Sequence, residues 1–385
     1  MLSVAAGRGL KGLSNMTFRR SAPTALIVAS AAIILILTFV SNRLFSGMTD
    51  AVELGQYQLM QSILTSQLDS AAAKALARAD IIANLDATRD AMAAKDRDKL
   101  LAMYGEMFGR QKDRFGVSQA QFHIPPAVSL LRLHSPKSFG DDLTRSRPMV
   151  TAVLRDHQPR KGFAIARSGP AIFGIAPIND KAGTLLGSFE FGLDFGPMLD
   201  QIKATYGLDA TLYVEEKPLH DFAKGVDPSI YSDQNRVSHF IRYHSTNNGL
   251  MKDLVRDADI AGVIEPVRYA RDVDGTPYGV LLVPLKNGAG ESLGVIAIVR
   301  DFSPTRSAAG QSFIWQMAAA VFAIVLLAGI ILVVIRGFLL RPLRIVTERL
   351  MTENGVDVEH KDTDKFCKEI QELADLHDKL KPGQG

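Results

Sequence analysis

A segment of fifteen residues occurs twice in the chain. The first copy, Gly183–Pro197, has the sequence GTLLGSFEFGLDFGP, and the second copy, Gly290–Pro304, has the sequence GESLGVIAIVRDFSP. Identical residues lie 107 positions apart, as Asp194 and Asp301 do. Each copy predicts a strand, a glycine turn, a second strand and an aspartate that caps the following helix. An internal repeat of this kind indicates one α/β module that occurs twice.

Two further segments, Ala22–Val40 and Ile314–Ile335, are long and apolar enough to span a bilayer. Basic residues precede the first segment and follow the second, and no acidic residue occurs before Asp50. The positive-inside rule therefore places both termini in the cytoplasm and residues 41–312 in the periplasm of a bacterium. We predict an inner-membrane protein with a cytoplasmic N-terminus at residues 1–21 and transmembrane helices at residues 22–40 and 313–335.

Each apolar segment has an alternative interpretation. The first is alternatively a cleaved signal peptide, although the sequence SNRLFSGM after it lacks a small-x-small cleavage site. The second is alternatively a buried core helix, which its length disfavours.

Composition excludes some classes of protein. The net charge of +3 gives no argument for a nucleic-acid partner. The single cysteine, Cys367, excludes an internal disulfide framework. A chain of 385 residues is long enough for two or three domains.

The region between the spans predicts an α+β architecture. Residues 41–116 carry apolar side chains at helical spacing, so we expect a long helical stalk with a first helix at Asn42–Leu85 and a second at Asp96–Phe115. Short strands follow, separated by turn residues. They predict two tandem modules with antiparallel sheets, at residues 117–206 and 207–301. In the first module we expect a strand at Ser129–His134 and a helix at Thr144–Asp156.

The C-terminal tail, residues 336–385, predicts a helical coiled coil. Pro342 is expected to break the membrane helix, and apolar residues then recur at heptad spacing, as Phe366, Ile370 and Leu373 do. Two such helices joined by a polar connector are typical of a parallel homodimer.

The tail resembles a HAMP domain. The resemblance rests on Pro342 after the membrane helix, Gly355-Val356 at the start of the connector, and Glu369-Ile370 followed by Leu373 at the start of the second helix. It implies that Asp301, Pro342 and Glu369 lie on the route by which a signal passes from the outer modules to the cytoplasm.

The outer region resembles a double Cache sensory domain of bacterial chemoreceptors and sensor kinases, whose modules are PAS-like. The resemblance is carried by Phe122–Pro125 (FHIP), Leu131–Pro136 (LRLHSP) and Phe139–Leu143 (FGDDL), followed by Arg147. It implies a ligand pocket on one face of the sheet, closed by the loop and helix after the early strands. The commoner Cache subfamily binds amino acids through a motif rich in aromatic residues. That motif is not visible in this sequence, so the resemblance does not imply amino-acid binding.

Cationic and imidazole side chains are concentrated near this pocket. The candidate ligand-binding residues are His123, Arg132, His134, Arg147 and Arg167. Arg132 and His134 are two positions apart and are expected on one side of a strand. A guanidinium with imidazoles suits a carboxylate or another small anion.

Two alternatives remain for the same residues. Asp141 and Asp142 alternatively pair with Arg132 or Arg147 and fix the loop, which would make the cluster purely structural. A metal site formed by His123, His134 and Asp141 lacks a recognisable ligand spacing, so we expect none. Glu190 in the first copy of the repeat aligns with Ala297 in the second. A charged residue in the first copy and none in the second favours the first module as the binding one.

No motif for catalysis or for cofactor binding stands out, so we expect neither an enzyme nor a cofactor. We predict a homodimeric sensor that detects a small ligand and signals through the second span. No kinase or methyl-accepting segment follows the tail, so we expect a separate cytoplasmic output partner. The alternative is a receptor-derived scaffold that positions or shapes membrane, an architecture that resembles magnetosome-positioning proteins of the MamY family.

Overall fold

The computed structural model describes residues 18–287 and 290–342. The chain divides into two units. One unit is Ala51–Thr305 and contains both sheets, and the other comprises the segments that precede and follow it.

From residue 18 onwards, three helices precede the sheets. They are α1 (Phe18–Ala83), α2 (Asp86–Ala93) and α3 (Arg97–Phe115). Helix α1 contains the predicted first span and all but the last two residues of the predicted first helix of the stalk, which was expected to end at Leu85. The Asp96 side chain accepts a hydrogen bond from the Lys99 amide at 3.0 Å and so caps α3. Sequence reasoning missed α2, because its sequence DATRDAMA is too short to show a helical period.

The first sheet has five antiparallel strands in the order β2-β1-β5-β4-β3. They are β1 (Val117–Ile124), β2 (Val128–Arg132), β3 (Arg160–Ala166), β4 (Gly169–Asn179) and β5 (Leu185–Leu193). Helix α4 (Pro148–Asp156) connects β2 to β3, and α5 (Phe195–Tyr206) follows β5. We call this set the first module.

Two predicted boundaries in the first module are wrong. Strand β2 ends at Arg132, and His134 lies in the turn that follows. Helix α4 begins at Pro148 instead of Thr144. Proline suits the first helical position and disfavours the helical conformation at the residue before it, which is Arg147.

The second sheet has six antiparallel strands in the order β7-β8-β6-β11-β10-β9. They are β6 (Asp209–Glu215), β7 (Arg236–Val237), β8 (Phe240–Ser245), β9 (Val267–Val273), β10 (Thr276–Lys286) and β11 (Ser292–Asp301). Its helices are α6 (Glu216–Phe222), α7 (Asn248–Leu254) and α8 (Asp257–Ile260). This set is the second module. The predicted α+β fold with two tandem antiparallel sheets is confirmed.

The repeat occupies equivalent places in the two modules. Gly183 and Gly290 lie in the turns before β5 and β11, with φ of +88° and +85° that glycine adopts readily. After these strands, the Asp194 carboxylate accepts from the Gly196 amide at 3.1 Å. The Asp301 carboxylate accepts from the Ser303 amide at 2.7 Å in the same way. Both predicted aspartate caps are therefore confirmed.

Small residues bring α1 into direct contact with the first sheet. Ala75 and Ala79 of α1 are fully buried. A Cβ on Gly174 of β4 would overlap the α1 backbone at Ala75 and Leu76, so glycine is required for this approach. Nearer its N-terminal end, α1 contacts the second module, where the Tyr57 hydroxyl donates to the Tyr269 carbonyl at 2.6 Å. One helix thus packs against both modules.

Helix α9 (Ser303–Val334) contains most of the predicted second span and continues into a π-helical turn at Ile335–Leu340. Pro23–Ala83 and Ser303–Phe338 are long and apolar enough to cross a membrane. The backbone is still helical at Arg341 and Pro342, and the residues that would show the expected break lie outside the described chain. Proline removes one helical hydrogen bond, and the π turn next to it is a local adjustment of the same helix. The HAMP-like segment with Glu369 and the basic N-terminus at residues 1–17 lie outside the described residues.

Candidate functional site

A polar cavity of about 70 Å³ lies on the first module. Four of the five candidate residues line it, namely Arg132, His134, Arg147 and Arg167. Strand β1 contributes Gln119 and Gln121, the loop after β2 contributes Asp141, and the second module contributes Phe222. The structure therefore brings together residues up to 103 positions apart in the sequence, from Gln119 to Phe222.

Arg132 is held by the loop that follows it. Its guanidinium donates two hydrogen bonds to the Asp141 carboxylate, both at 2.7 Å, and a third to the Ser138 carbonyl at 2.9 Å. The hydrogen bonds from Arg132 lower the pKa of Asp141, although burial opposes them. The positive charge of Arg132 is therefore already matched by a carboxylate.

Asp142 has a different role from Asp141. Its carboxylate accepts hydrogen bonds from the Thr144 amide at 2.9 Å and from the Thr144 hydroxyl at 2.6 Å. This local turn shapes the chain ahead of Arg147. These hydrogen bonds join Asp142 to neither Arg132 nor Arg147.

Arg147 is paired with Glu190 of β5. The guanidinium donates to the two carboxylate oxygens at 2.9 and 2.6 Å, and both side chains are buried. Burial alone would raise the pKa of Glu190, but the charge of Arg147, together with the interactions with His123, outweighs burial and lowers the pKa to about 2. The guanidinium also lies 4.2 Å above the centre of the Phe173 ring, which fixes its plane.

His123 does not line the cavity. It is fully buried, with Nδ1 3.0 Å from the Ser188 hydroxyl and Nε2 3.7 Å from the Glu190 carboxylate. Burial lowers the pKa of His123, so the imidazole is neutral at pH 7. His123 therefore contacts the partner of Arg147 and not the cavity itself.

His134 lines the cavity but supplies no charge at neutral pH. Its Nδ1 lies 3.2 Å from both the amide nitrogen and the carbonyl oxygen of Ala120. Burial lowers the pKa of His134 to about 4. The neutral ring can still offer one donor or acceptor.

Arg167 differs from the other two arginines. It is exposed at the turn between β3 and β4, and no side-chain hydrogen bond or ion pair joins it to the rest of the described chain. Its carbonyl accepts a hydrogen bond from the Gly225 amide of the second module at 2.8 Å. Since Asp141 and Glu190 match Arg132 and Arg147, the cavity carries one positive charge in excess. The arrangement suits a small anion.

Gln119, Gln121 and Phe222 are among the cavity residues that were missed from the sequence. The alternation of Gln119, Gln121 and His123 along a buried strand is a signal that could have identified the two glutamines. No sequence signal pointed to Phe222, because it comes from the other module. Within residues 18–287 and 290–342, no group of three His, Cys, Asp or Glu residues could hold a metal ion.

Comparison with known proteins identifies the sensory region. The model of the double sensory domain of two-component sensor kinases, dCache_3, matches residues 54–304. The periplasmic domain of LuxQ from Vibrio cholerae is similar at 10% identity and a TM-score of 0.39, over 65% of this chain and 99% of that domain. The ligand-binding domain of the Campylobacter jejuni chemoreceptor Tlp3, in complex with L-valine, is similar at 11% identity and a TM-score of 0.33, over 72% and 98%. No curated protein matches the chain.

Proposed function

Because the chain belongs to the dCache_3 family of double sensory domains, we propose that it is a transmembrane sensor for a small anion. The ligand binds outside the cytoplasm in the polar cavity of the first module. The signal passes through the second module and α9 to a separate cytoplasmic partner. Both termini lie in the cytoplasm, and the protein acts as a homodimer.

One observation supports the anionic ligand above the others, namely the uncompensated charge of Arg167. Arg132 and Arg147 are each bound by a carboxylate. Arg167 lines the same cavity, and no carboxylate in the described chain binds it. A ligand with a single negative charge would neutralise the cavity, whereas a dianion would leave an excess negative charge there.

The connection to the membrane supports the signalling part of the proposal. Strand β11 of the second module ends at Asp301, whose carboxylate caps the first turn of α9. A shift of β11 would therefore move the N-terminus of α9 directly. A ligand changes the populations of a two-state element when it favours one state by a few kcal/mol. Each 1.4 kcal/mol changes the ratio of the two populations about tenfold.

Calorimetric titration of the full-length protein in lipid nanodiscs tests the ligand. Acetate and acetamide have nearly the same shape but differ in charge, so acetate should bind and acetamide should not. Arg167→Gln should weaken acetate binding by about tenfold or more, since a charge-assisted hydrogen bond contributes roughly 1.5–3 kcal/mol. Arg155→Gln, a change of the same type at an exposed arginine on α4, is the control and should leave binding unchanged.

The scaffold is the second candidate function. It is favoured by the internal pairing of Arg132 and Arg147, because a purely structural cluster would satisfy its own charges in this way. Failure of acetate and of every other small anion to bind the full-length protein would support the scaffold and reject the sensor.

The homodimer has its own test. A Leu373→Cys variant in which Cys367 is replaced by serine would carry its single thiol at a heptad position of the tail. Oxidation in membranes should give a disulfide-linked dimer. A chain that stays monomeric under these conditions would reject the parallel coiled coil.

A further inference from the structure

The polar cavity adjoins a larger cleft between the two modules. The cleft has a volume of about 300 Å³. Four residues line both spaces, namely Ser146, Arg147, Ile165 and Phe222. The two spaces therefore lie side by side.

The two spaces differ in size and chemistry. Pockets for small molecules have volumes of about 300–1,000 Å³, so the polar cavity is too small for a whole ligand and the cleft is large enough for most of one. Eight apolar side chains line the cleft: Pro148, Met149, Phe163, Ala164, Ile165, Pro218, Phe222 and Leu293. Apart from Arg147, its charged lining residues balance, with Arg145 and Lys217 against Asp221 and Glu291. The cleft therefore favours an uncharged apolar group.

Arg147, which lines both spaces, carries an unsatisfied donor. Arg147 uses both terminal nitrogens to bind Glu190. Its Nε is buried and has no hydrogen-bond partner among the described residues. A buried donor without an acceptor costs about 1–3 kcal/mol, which an acceptor on a ligand would recover. Arg167 lies on the wall of the same cavity with its charge unmatched.

We propose that the ligand is a monocarboxylate with an apolar tail. The carboxylate accepts from Arg147 Nε and pairs with Arg167, and the tail lies in the cleft between the modules. This inference rests on the proposed function and specifies the ligand of the same site. It also assigns a binding role to Phe222, Pro218 and Leu293 of the second module.

The position of the tail accounts for communication between the modules. Met149 and Phe163 on one side of the cleft belong to α4 and β3 of the first module. Phe222 and Leu293 on the other side belong to α6 and β11 of the second. A tail held between them contacts β11, the strand that ends at the Asp301 cap of α9. Tail binding would therefore favour the arrangement of the modules in which the cleft is closed on it.

A series of ligands with one head group tests the proposal. Acetate, butanoate and hexanoate are titrated into the full-length protein in nanodiscs, and empty nanodiscs correct for partitioning into lipid. Burial of each methylene should raise the affinity by about fourfold, until the tail fills the cleft. Hexan-1-ol, which has the tail without the charge, should bind at least about tenfold more weakly than hexanoate.

Variants separate the tail from the head group. Phe222→Ala and Leu293→Ala should each weaken hexanoate binding by about fivefold or more, and should change acetate binding little. Phe222 is exposed and Leu293 is partly buried, so the variants retain the buried core. Phe115→Ala, at an exposed phenyl group away from the cleft, is the control. Arg167→Gln should weaken both acids.

The outcomes distinguish the two proposals. Equal affinities for acetate and hexanoate would overturn the proposal that the ligand has an apolar tail, but would leave the proposed anion sensor in place. If Phe222→Ala and Leu293→Ala leave the affinity for hexanoate unchanged, the cleft is not the site where its tail binds. Loss of binding for all three acids would overturn the proposed function as well.

Discussion

The Arg147 guanidinium binds the Glu190 carboxylate through two hydrogen bonds, at 2.9 and 2.6 Å, and both side chains are buried. The pair connects the start of α4 to the centre of the first sheet. It also leaves Nε of Arg147, a residue that lines both the cavity and the cleft, without an acceptor among the described residues. The same contact therefore stabilises the module and orients a candidate ligand-binding group.

Replacement of one member of this pair should destabilise the protein strongly. Glu190→Gln leaves the Arg147 charge buried without a counterion, so the free energy of unfolding at pH 7 should fall by about 3–5 kcal/mol. Urea unfolding of residues 51–305, which form one compact unit, measures the loss. Glu106→Gln is the control, because Glu106 forms an exposed helical pair with Arg110 and should cost no more than about 0.5 kcal/mol.

The same pair should make stability depend on pH. The pKa of Glu190 is about 2 in the folded protein and has an ordinary value of 4.5. A lowered pKa stabilises the fold above pH 4.5, and this contribution of about 3 kcal/mol is lost as the pH falls from 4.5 towards 2. The difference in unfolding free energy between wild type and Glu190→Gln should therefore shrink between pH 6 and pH 3. A constant difference across this range would contradict the assignment.

The Arg132–Asp141 pair should contribute much less, because about half of the Asp141 side chain is exposed. Asp141→Asn should lower the free energy of unfolding by about 1 kcal/mol or less. It should also speed hydrogen exchange at the Ser129 amide, which donates to the Asp141 carbonyl. Asp142→Asn is the matched control, since asparagine can form the same turn with Thr144. Equal protection in both variants would show that the Arg132 pair does not hold the loop.

Sequence patterns predicted the sheets better than the helices around them. The repeat predicted a strand between a glycine turn and an aspartate in each module, and β5 and β11 lie there because those residues mark their ends. The start of α4 was misplaced because apolar spacing alone does not show the effect of Pro148 on the residue before it. That effect matters for the site, because it keeps Arg147 out of the helix with φ −131° and ψ 70°.

The candidate site was only partly predictable, because some of its residues are far apart in the sequence and meet only in the fold. The motif between residues 122 and 147 correctly grouped Arg132, His134 and Arg147. The partner of Arg147 depends on the register in which β1 and β5 pair, with Gln121 opposite Glu190, and a single sequence does not contain that register. Phe222 depends on the packing of two modules. Local periodicity does not report packing of this kind.

Gly174 should tolerate no side chain, because its Cβ would meet the backbone of α1. Gly174→Ala should lower the free energy of unfolding by about 3 kcal/mol, at the upper end of overpacking costs, since the helix backbone cannot shift as a flexible side chain would. Gly109→Ala is the control on α3, where no atom lies within 4 Å of the new Cβ. There alanine should stabilise the helix by about 0.5–1 kcal/mol. A small loss for Gly174→Ala would show that α1 moves freely over the sheet.

The aspartate caps of the repeat should behave alike in the two modules. Asp194→Ala removes the acceptor of the Gly196 amide, and Asp301→Ala removes that of the Ser303 amide. Each loss should destabilise the first turn of its helix by about 1 kcal/mol and speed exchange of that amide about fivefold in the full-length protein in nanodiscs. Asparagine also caps helices, so Asp194→Asn and Asp301→Asn should exchange almost as wild type does. If Asp301 transmits the signal, Asp301→Ala should leave acetate binding intact and abolish the ligand-induced change in exchange at Ser303. Persistence of that change would remove Asp301 from the signalling route.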